Sequence, residues 1–223
     1  MCRPRAVIFD IDGVIVDSES LYDLATHNSL ECIGFYLDIS GRARMAGRSL
    51  ADCRIILESE FGASFPWQEF VSEYQSEILR LSPLFPPVKP GVENSLYRLR
   101  RAGLSVAFAT NESYARSNEI LRFHGLLRDD DILVAREQVE LPKPEPDVYI
   151  CAAQLLGEDI SRLVAVEDSY VGLVSARRAG ICAVLLPDFG PVSQESLEVA
   201  SCVFLDIEAF VNVLLGDRPR RES

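Results

Sequence analysis

The sequence predicts an α/β protein whose parallel sheet is interrupted, after its first strand, by a helical insertion. Short apolar runs alternate with longer amphipathic stretches through most of the chain, and this pattern is typical of βαβ units. One interval, residues 18–82, contains helical patterns and no convincing strand. The chain of 223 residues is about one and a half average domains long, which suits a core with a smaller insertion.

Each predicted element follows from its apolar spacing. Six short apolar runs predict strands: Ala6–Phe9, Ser105–Ala109, Ile132–Val134, Leu163–Val166, Ala183–Leu186 and Cys202–Leu205. Between most of them, longer patterns predict core helices: Val92–Ala102, Glu112–His124, Pro146–Leu156 and Tyr170–Ala179. A glycine follows each helix where a left-handed cap would end it: Gly103, Gly125, Gly157 and Gly180.

The insertion is predicted to be helical around Leu21–Ile33, Ser49–Phe61 and Trp67–Leu81. The chain then returns to the core through Ser82–Gly91, a stretch with four prolines that suits a hinge. We therefore expect a core of residues 1–16 and 87–216, a helical domain of residues 17–86, and a frayed tail of residues 217–223.

Composition narrows the classes of partner. The net charge of −12 disfavours nucleic acid, because a phosphate-backbone binder needs a positive working face. No apolar run approaches the roughly 18 residues of a membrane span, so no membrane partner is expected. Without a CxxC pair, a zinc site has no ligand pattern, and the cysteines suit a reduced, cytoplasmic protein. We expect a monomer or a weak homo-oligomer.

Polar residues follow four successive core strands. Asp10 and Asp12 follow the first, Thr110 and Asn111 the second, the loop residue Lys143 comes after the third, and Glu167 and Asp168 follow the fourth. Taken singly, each has a plain alternative: turn chemistry, a helix N-cap, a solvated lysine or acidic capping. Together, at the edge where open α/β sheets bind ligands, they predict a site for Mg²⁺ and a phosphate group.

The order DIDGV, TN, KPEPD and EDSYVG resembles the haloacid dehalogenase (HAD) superfamily of phosphotransferases over nearly the whole chain. The resemblance implies a Rossmann-like core with an inserted helical-bundle cap, in the branch of phosphoglycolate phosphatases, sugar-phosphate phosphatases and β-phosphoglucomutases. It also implies that Asp10 is the nucleophile, forming an aspartyl-phosphate, and that Asp12 is the general acid and base.

The same resemblance implies the remaining roles. Mg²⁺ would be held by Asp10, the backbone carbonyl of Asp12, Glu167 (directly or through water) and Asp168. Thr110, Asn111 and Lys143 would orient the phosphoryl oxygens. Three residues of the insertion are candidates for substrate selection: Glu19, Tyr22 and Arg48. A solvated basic helix end is the alternative for Arg48.

The resemblance predicts an Mg²⁺-dependent phosphatase acting on a small phosphorylated metabolite, such as a sugar or polyol phosphate. An acid at Asp12 disfavours the dehalogenases and phosphonatases, which lack one there. A phosphomutase is the second hypothesis, but mutases carry a histidine where this chain has Tyr22, and an arginine where Gly47 would place Leu50. A non-catalytic module that senses phosphate is the third.

Overall fold

A computed structural model describes residues 4–45, 50–81, 85–188 and 192–216 of the chain. The strands are β1 (Ala6–Phe9), β2 (Ser105–Ala109), β3 (Ile132–Val134), β4 (Leu163–Glu167), β5 (Cys182–Leu185) and β6 (Cys202–Val203). The first five helices are α1 (Glu19–Cys32), α2 (Ile39–Ala43), α3 (Leu50–Phe61), α4 (Trp67–Leu81) and α5 (Val92–Arg101). The others are α6 (Tyr114–Phe123), α7 (Asp147–Leu156), α8 (Tyr170–Arg178), α9 (Gln194–Val199) and α10 (Ile207–Leu215).

The chain divides into two compact units, an α/β unit and a helical unit. The α/β unit contains residues up to Val16, Val88–Asp188 and the residues from Val192 onward. The helical unit contains Asp17–Pro87.

In the α/β unit, the six described strands form one parallel sheet in the order β3-β2-β1-β4-β5-β6. Strand β1 lies in the middle, and its last residue, Phe9, is in register with Phe108 of β2 and Val166 of β4. The residues that follow these three strands therefore meet at one edge of the sheet. All four residues of β1 are buried, as expected for a strand covered on both faces.

Helix α7 covers one face of this sheet. Its buried residues Val148, Tyr149 and Ala152 pack with Ile8 of β1 and Ala107 of β2 in a single apolar core. This burial follows from the helical spacing of its apolar residues. The predicted glycine caps are confirmed, since φ is +80° at Gly103, +67° at Gly125, +65° at Gly157 and +81° at Gly180.

The helical unit has its own apolar core, which includes a cluster of aromatic rings. Phe35 lies edge-on to Phe61 and Phe65, with ring centroids 5.0 and 5.1 Å apart, and Phe70 extends the cluster to Trp67. Aromatic pairs in this geometry contribute about 0.5–1.5 kcal/mol beyond their burial. The helices of this unit therefore pack around an apolar centre of their own.

The structure corrects several predicted element bounds. Helix α6 begins at Tyr114 rather than Glu112, because the Ser113 side chain caps it by accepting a hydrogen bond from the Arg116 backbone N–H. The last strand ends at Val203 rather than Leu205. Helix α2 was not predicted, since five residues are too few to show helical periodicity.

Candidate active site

The loop after β1 is a tight turn that carries the two predicted aspartates. The Asp10 backbone N–H donates to the carbonyl of Val166, which ties the turn to the end of β4 (2.9 Å). Gly13 closes the turn with φ +75°, and a Cβ there would lie 2.2 Å from Oδ2 of Asp168. Gly13 is therefore required both by its backbone conformation and by the close approach of a carboxylate. Asp12, which lies between Asp10 and Gly13 in the sequence, is half-buried.

Lys143 joins the ends of three strands. Its ammonium donates to Asp10 Oδ1 (2.5 Å), to Glu167 Oε1 (2.6 Å) and to the backbone carbonyl of Ala109 (2.8 Å). The side chain is only 4% exposed. Three short donations from one buried ammonium fix the relative positions of the two carboxylates.

Asn111 holds the loop that carries Lys143. Its side chain accepts from the Lys143 backbone N–H (2.9 Å) and donates to the Lys143 carbonyl (3.2 Å). Thr110 is buried at the end of β2, where its hydroxyl accepts from the Glu112 backbone N–H (2.9 Å). Thr110 is thus not the N-cap of α6, since Ser113 occupies that position.

Glu167 is fully buried and has a partner that sequence reasoning missed. The hydroxyl of Tyr149 donates to its Oε1 at 2.5 Å, and Ser169 donates to its Oε2 at 3.3 Å. Helix α8 passes so close that a Cβ on Gly172 would lie 2.0 Å from the carboxyl carbon. A buried tyrosine hydroxyl needs a polar partner, and this need was the signal by which the sequence could have indicated a role for Tyr149 in the site.

Burial and mutual repulsion control the ionisation of these acids. Burial raises the pKa of Asp10 to about 8, although the positive charge of Lys143 opposes this shift. Burial and the charge of Asp10 likewise raise the pKa of Asp168 well above its usual value. Burial would lower the pKa of Lys143, but the charges of Asp10 and Glu167 outweigh it and raise that pKa above its ordinary value.

Three of these carboxylates could hold a metal ion. Oxygen atoms of Asp10, Glu167 and Asp168 all lie within 4.8 Å of one another. A hard dication such as Mg²⁺ prefers carboxylate oxygens, and its charge would oppose the rise in pKa that burial and mutual repulsion cause in Asp10 and Asp168. The residues present therefore fit Mg²⁺.

The predicted site residues divide between the two units of the chain. The α/β unit contains Asp10, Asp12, Thr110, Asn111, Lys143, Glu167 and Asp168. Glu19 and Tyr22 lie in the first two turns of α1, in the helical unit. Arg48 lies outside the described residues.

Comparison with known families decides the affiliation of the chain. The family model of the haloacid dehalogenase-like hydrolases matches residues 4–180, a span that contains all the core site residues named above. The chain belongs to the haloacid dehalogenase-like hydrolases. The predicted family is thereby confirmed.

Relatives of this HAD hydrolase include a phosphatase and a mutase. Hexitol phosphatase B of Escherichia coli is 29% identical over 195 residues, which cover 84% of this chain and 86% of that protein. The β-phosphoglucomutase of Bacillus subtilis is 27% identical over 213 residues, covering 92% of each chain. Together with the family match, the phosphatase relatives confirm the prediction of a phosphoric monoester hydrolase.

A solved structure confirms the predicted fold class. The HAD-family hydrolase of Deinococcus radiodurans superposes with a TM-score of 0.81, covering 97% of each chain at 24% identity. Along the described part of this HAD hydrolase, none of the helices is both long and apolar enough to span a membrane.

Proposed function

We propose that this HAD hydrolase is an Mg²⁺-dependent phosphatase that releases phosphate from a small phosphorylated metabolite, a sugar or polyol phosphate. The observation that carries the proposal is the Lys143 bridge. The Lys143 ammonium holds Asp10, which follows the central strand β1, beside Glu167 of β4, with hydrogen bonds of 2.5 and 2.6 Å. A phosphatase of this kind needs a fixed nucleophile next to compensating charge.

The reaction would proceed in two displacements. A carboxylate oxygen of Asp10 attacks the phosphorus atom, an aspartyl-phosphate bond forms, and the ester oxygen leaves with its electron pair. Asp12 gives its proton to that leaving alkoxide. Asp12 then takes a proton from a water molecule that attacks the phosphorus, so that phosphate is released and Asp10 is regenerated.

The other residues would orient and neutralise the phosphoryl group. Lys143 supplies a positive charge beside Asp10, and Thr110 presents a hydroxyl at the end of the neighbouring strand. Asp10, Glu167 and Asp168 would hold Mg²⁺, with the Asp12 carbonyl as a further ligand. Bound there, Mg²⁺ supplies charge compensation for the phosphoryl oxygens. The Asn111 side chain, which is bonded to the Lys143 backbone, keeps the lysine loop in place.

The helical unit would act as a cap that selects the leaving group. This role rests on the insertion of residues 17–86 directly after the nucleophile loop, and such caps exclude bulk water when they close. Glu19 and Tyr22, at the start of α1, are the candidate contacts. The choice of a sugar or polyol ester is supported by the names of the relatives, which include a hexitol phosphatase.

A phosphomutase is the second candidate, and the B. subtilis β-phosphoglucomutase relative favours it. The tyrosine at position 22 and the leucine at position 50 oppose it, because mutases of this branch resemble one another in having histidine and arginine there. Water is therefore the preferred acceptor of the phosphoryl group.

The test is phosphate release from a panel of sugar and polyol phosphates with Mg²⁺, comparing the natural protein with Asp10→Asn. Asp159→Asn is the matched control, since Asp159 caps the turn before β4, ahead of the amino end of that strand. We expect hydrolysis of at least one ester by the natural protein and Asp159→Asn, and none by Asp10→Asn. Full turnover by Asp10→Asn would refute the mechanism.

Isomerisation of a hexose 1-phosphate without phosphate release, in the presence of a bisphosphate primer, would favour the mutase. A rise in melting temperature with Mg²⁺ and fluoroaluminate, with no turnover of any ester, would favour the sensing module.

A further inference from the structure

A second ion pair lies directly behind the nucleophile loop. Lys89 donates from its ammonium to the carbonyl of Gly13 (2.6 Å) and also forms a short hydrogen bond with Oδ1 of Asp188. The backbone N–H of Lys89 donates to the carbonyl of Ile15 (2.9 Å), so this residue contacts the loop at two points. Both side chains are mostly buried, with 22% exposure for Lys89 and 14% for Asp188.

The other oxygen of Asp188 is in an unusual position. Oδ2 is buried and has no hydrogen-bond partner among the described residues. A Cβ built on Gly13 would lie 3.1 Å from this oxygen and 2.2 Å from Oδ2 of Asp168. The unpartnered oxygen of Asp188 and the carboxylate of Asp168 therefore converge on the same glycine.

An unpartnered buried carboxylate oxygen is destabilising, because a buried acceptor without a donor has lost its hydration, and the loss is larger when the group is charged. This oxygen lies on the same side of Gly13 as the Asp168 carboxylate, which belongs to the proposed cation site. The carboxylate oxygens of Asp168 and Asp188 therefore lie close together beside Gly13.

We propose that Asp188 is a positioning residue of the cation site, whose Oδ2 accepts a hydrogen bond from the hydration shell of the Mg²⁺ that Asp10, Glu167 and Asp168 would hold. Lys89 anchors Asp188 and neutralises part of its charge. The inference rests on the proposed Mg²⁺ dependence but not on the identity of the substrate. Outer partners of this kind typically change metal affinity by about 10–100-fold when removed.

The alternative is that the pair only pins the Gly13 turn. The two interpretations predict opposite changes in the Mg²⁺ affinity of Lys89→Met. If the pair only pins the turn, Asp188→Asn and Lys89→Met both loosen it, and both weaken Mg²⁺ binding. If Asp188 serves the cation, Asp188→Asn weakens binding, whereas Lys89→Met leaves an unneutralised carboxylate that attracts the dication.

The experiment is isothermal titration calorimetry of the metal-free full chain with Mg²⁺ alone. Asp131→Asn is the matched control, because Asp131 is also a mostly buried aspartate paired with a basic residue, Arg100, but directly precedes the amino end of β3. We expect about a tenfold weaker Kd for Asp188→Asn, and a Kd at least as tight as the natural protein for Lys89→Met. Asp131→Asn should leave the Kd unchanged.

Three results would overturn the proposal: a change of less than about twofold for Asp188→Asn, equal weakening in both site variants, or no Mg²⁺ binding by the natural protein. Circular dichroism establishes that each variant is folded before titration. If Asp188→Asn does not fold, Asp188→Glu is titrated in its place, and it should bind Mg²⁺ because it keeps the negative charge. If the natural protein binds Mg²⁺ but hydrolyses no ester, the phosphatase proposal fails while this one stands.

Discussion

Replacement of Tyr149 by phenylalanine isolates one hydrogen bond of the site. The Tyr149 hydroxyl donates to Glu167 Oε1 at 2.5 Å, and both residues are fully buried. Phenylalanine keeps the ring, including its position 5.2 Å from the Lys143 ammonium. Burial and then the charge of Glu167 raise the pKa of Tyr149 well above its ordinary value, so the hydroxyl remains a donor throughout the neutral range.

The loss in free energy of unfolding caused by this substitution depends on the charge of the acceptor, Glu167. A hydrogen bond to a charged group contributes roughly 1.5–3 kcal/mol. Glu167 Oε1 keeps its bond from Lys143 in the variant, so the loss should lie near the lower end, at about 1.5–2 kcal/mol. For a chain of this length, each kcal/mol corresponds to roughly 2–4 °C, which gives a melting temperature lower by about 3–8 °C.

The assay is differential scanning calorimetry of the metal-free protein at pH 6, 7 and 8. Tyr97→Phe is the control, because the hydroxyl of this half-exposed tyrosine only accepts a long bond of 3.3 Å from Arg101. We expect Tyr149→Phe to lower the melting temperature by the same amount at all three pH values. Tyr97→Phe should have the melting temperature of the natural protein. A Tyr149→Phe protein as stable as the natural one would show that the hydroxyl does not hold Glu167.

Three further predictions concern the site and the helical unit. Lys143→Met leaves two buried carboxylates without their counter-ion, so stability measured by denaturant unfolding should fall by about 3–5 kcal/mol, and phosphate release should stop. Gly172→Ala favours the helix but would put a Cβ 2.0 Å from the Glu167 carboxylate, so calorimetry should show weaker Mg²⁺ binding by a folded protein. The Arg80 hydrogen bond holds the pKa of Glu77 at about 2, below its ordinary 4.5. Its stabilisation is therefore full above pH 4.5 and is lost as the pH falls towards 2, so Glu77→Gln should flatten the dependence of melting temperature on pH in that window.

Much of the site could be predicted because parallel strands bring their ends together. Once the apolar runs ending at Phe9, Ala109 and Val166 are recognised as neighbouring parallel strands, the polar residues after them must share one edge of the sheet. Lys143 could be added because two prolines flank it in a chain where only two of 22 basic residues are lysines. The geometry that joins these residues agrees with that reasoning.

Other residues could not be predicted, because burial patterns do not identify partners. Lys89 and Asp188 are 99 positions apart, and neither belongs to a periodic element. Tyr149 lies on the buried stripe of α7, where apolar spacing accounts for its position and hides its polar role. For Asn111, a phosphate contact was predicted from its place after β2. That contact stays a prediction, and the hydrogen bonds of Asn111 with the Lys143 backbone add a role in holding the loop, which sequence reasoning missed.

The balance of charge at the sheet edge connects these observations. Acidic side chains there outnumber the two lysines; the acids are Asp10, Asp12, Glu167, Asp168 and Asp188. A phosphate monoester is itself anionic, so this edge would repel it unless positive charge is added. Lys143 is already shared between two carboxylates, and Lys89 is paired with Asp188. A dication is therefore the natural complement of the site, and its binding and that of the phosphate should each strengthen the other.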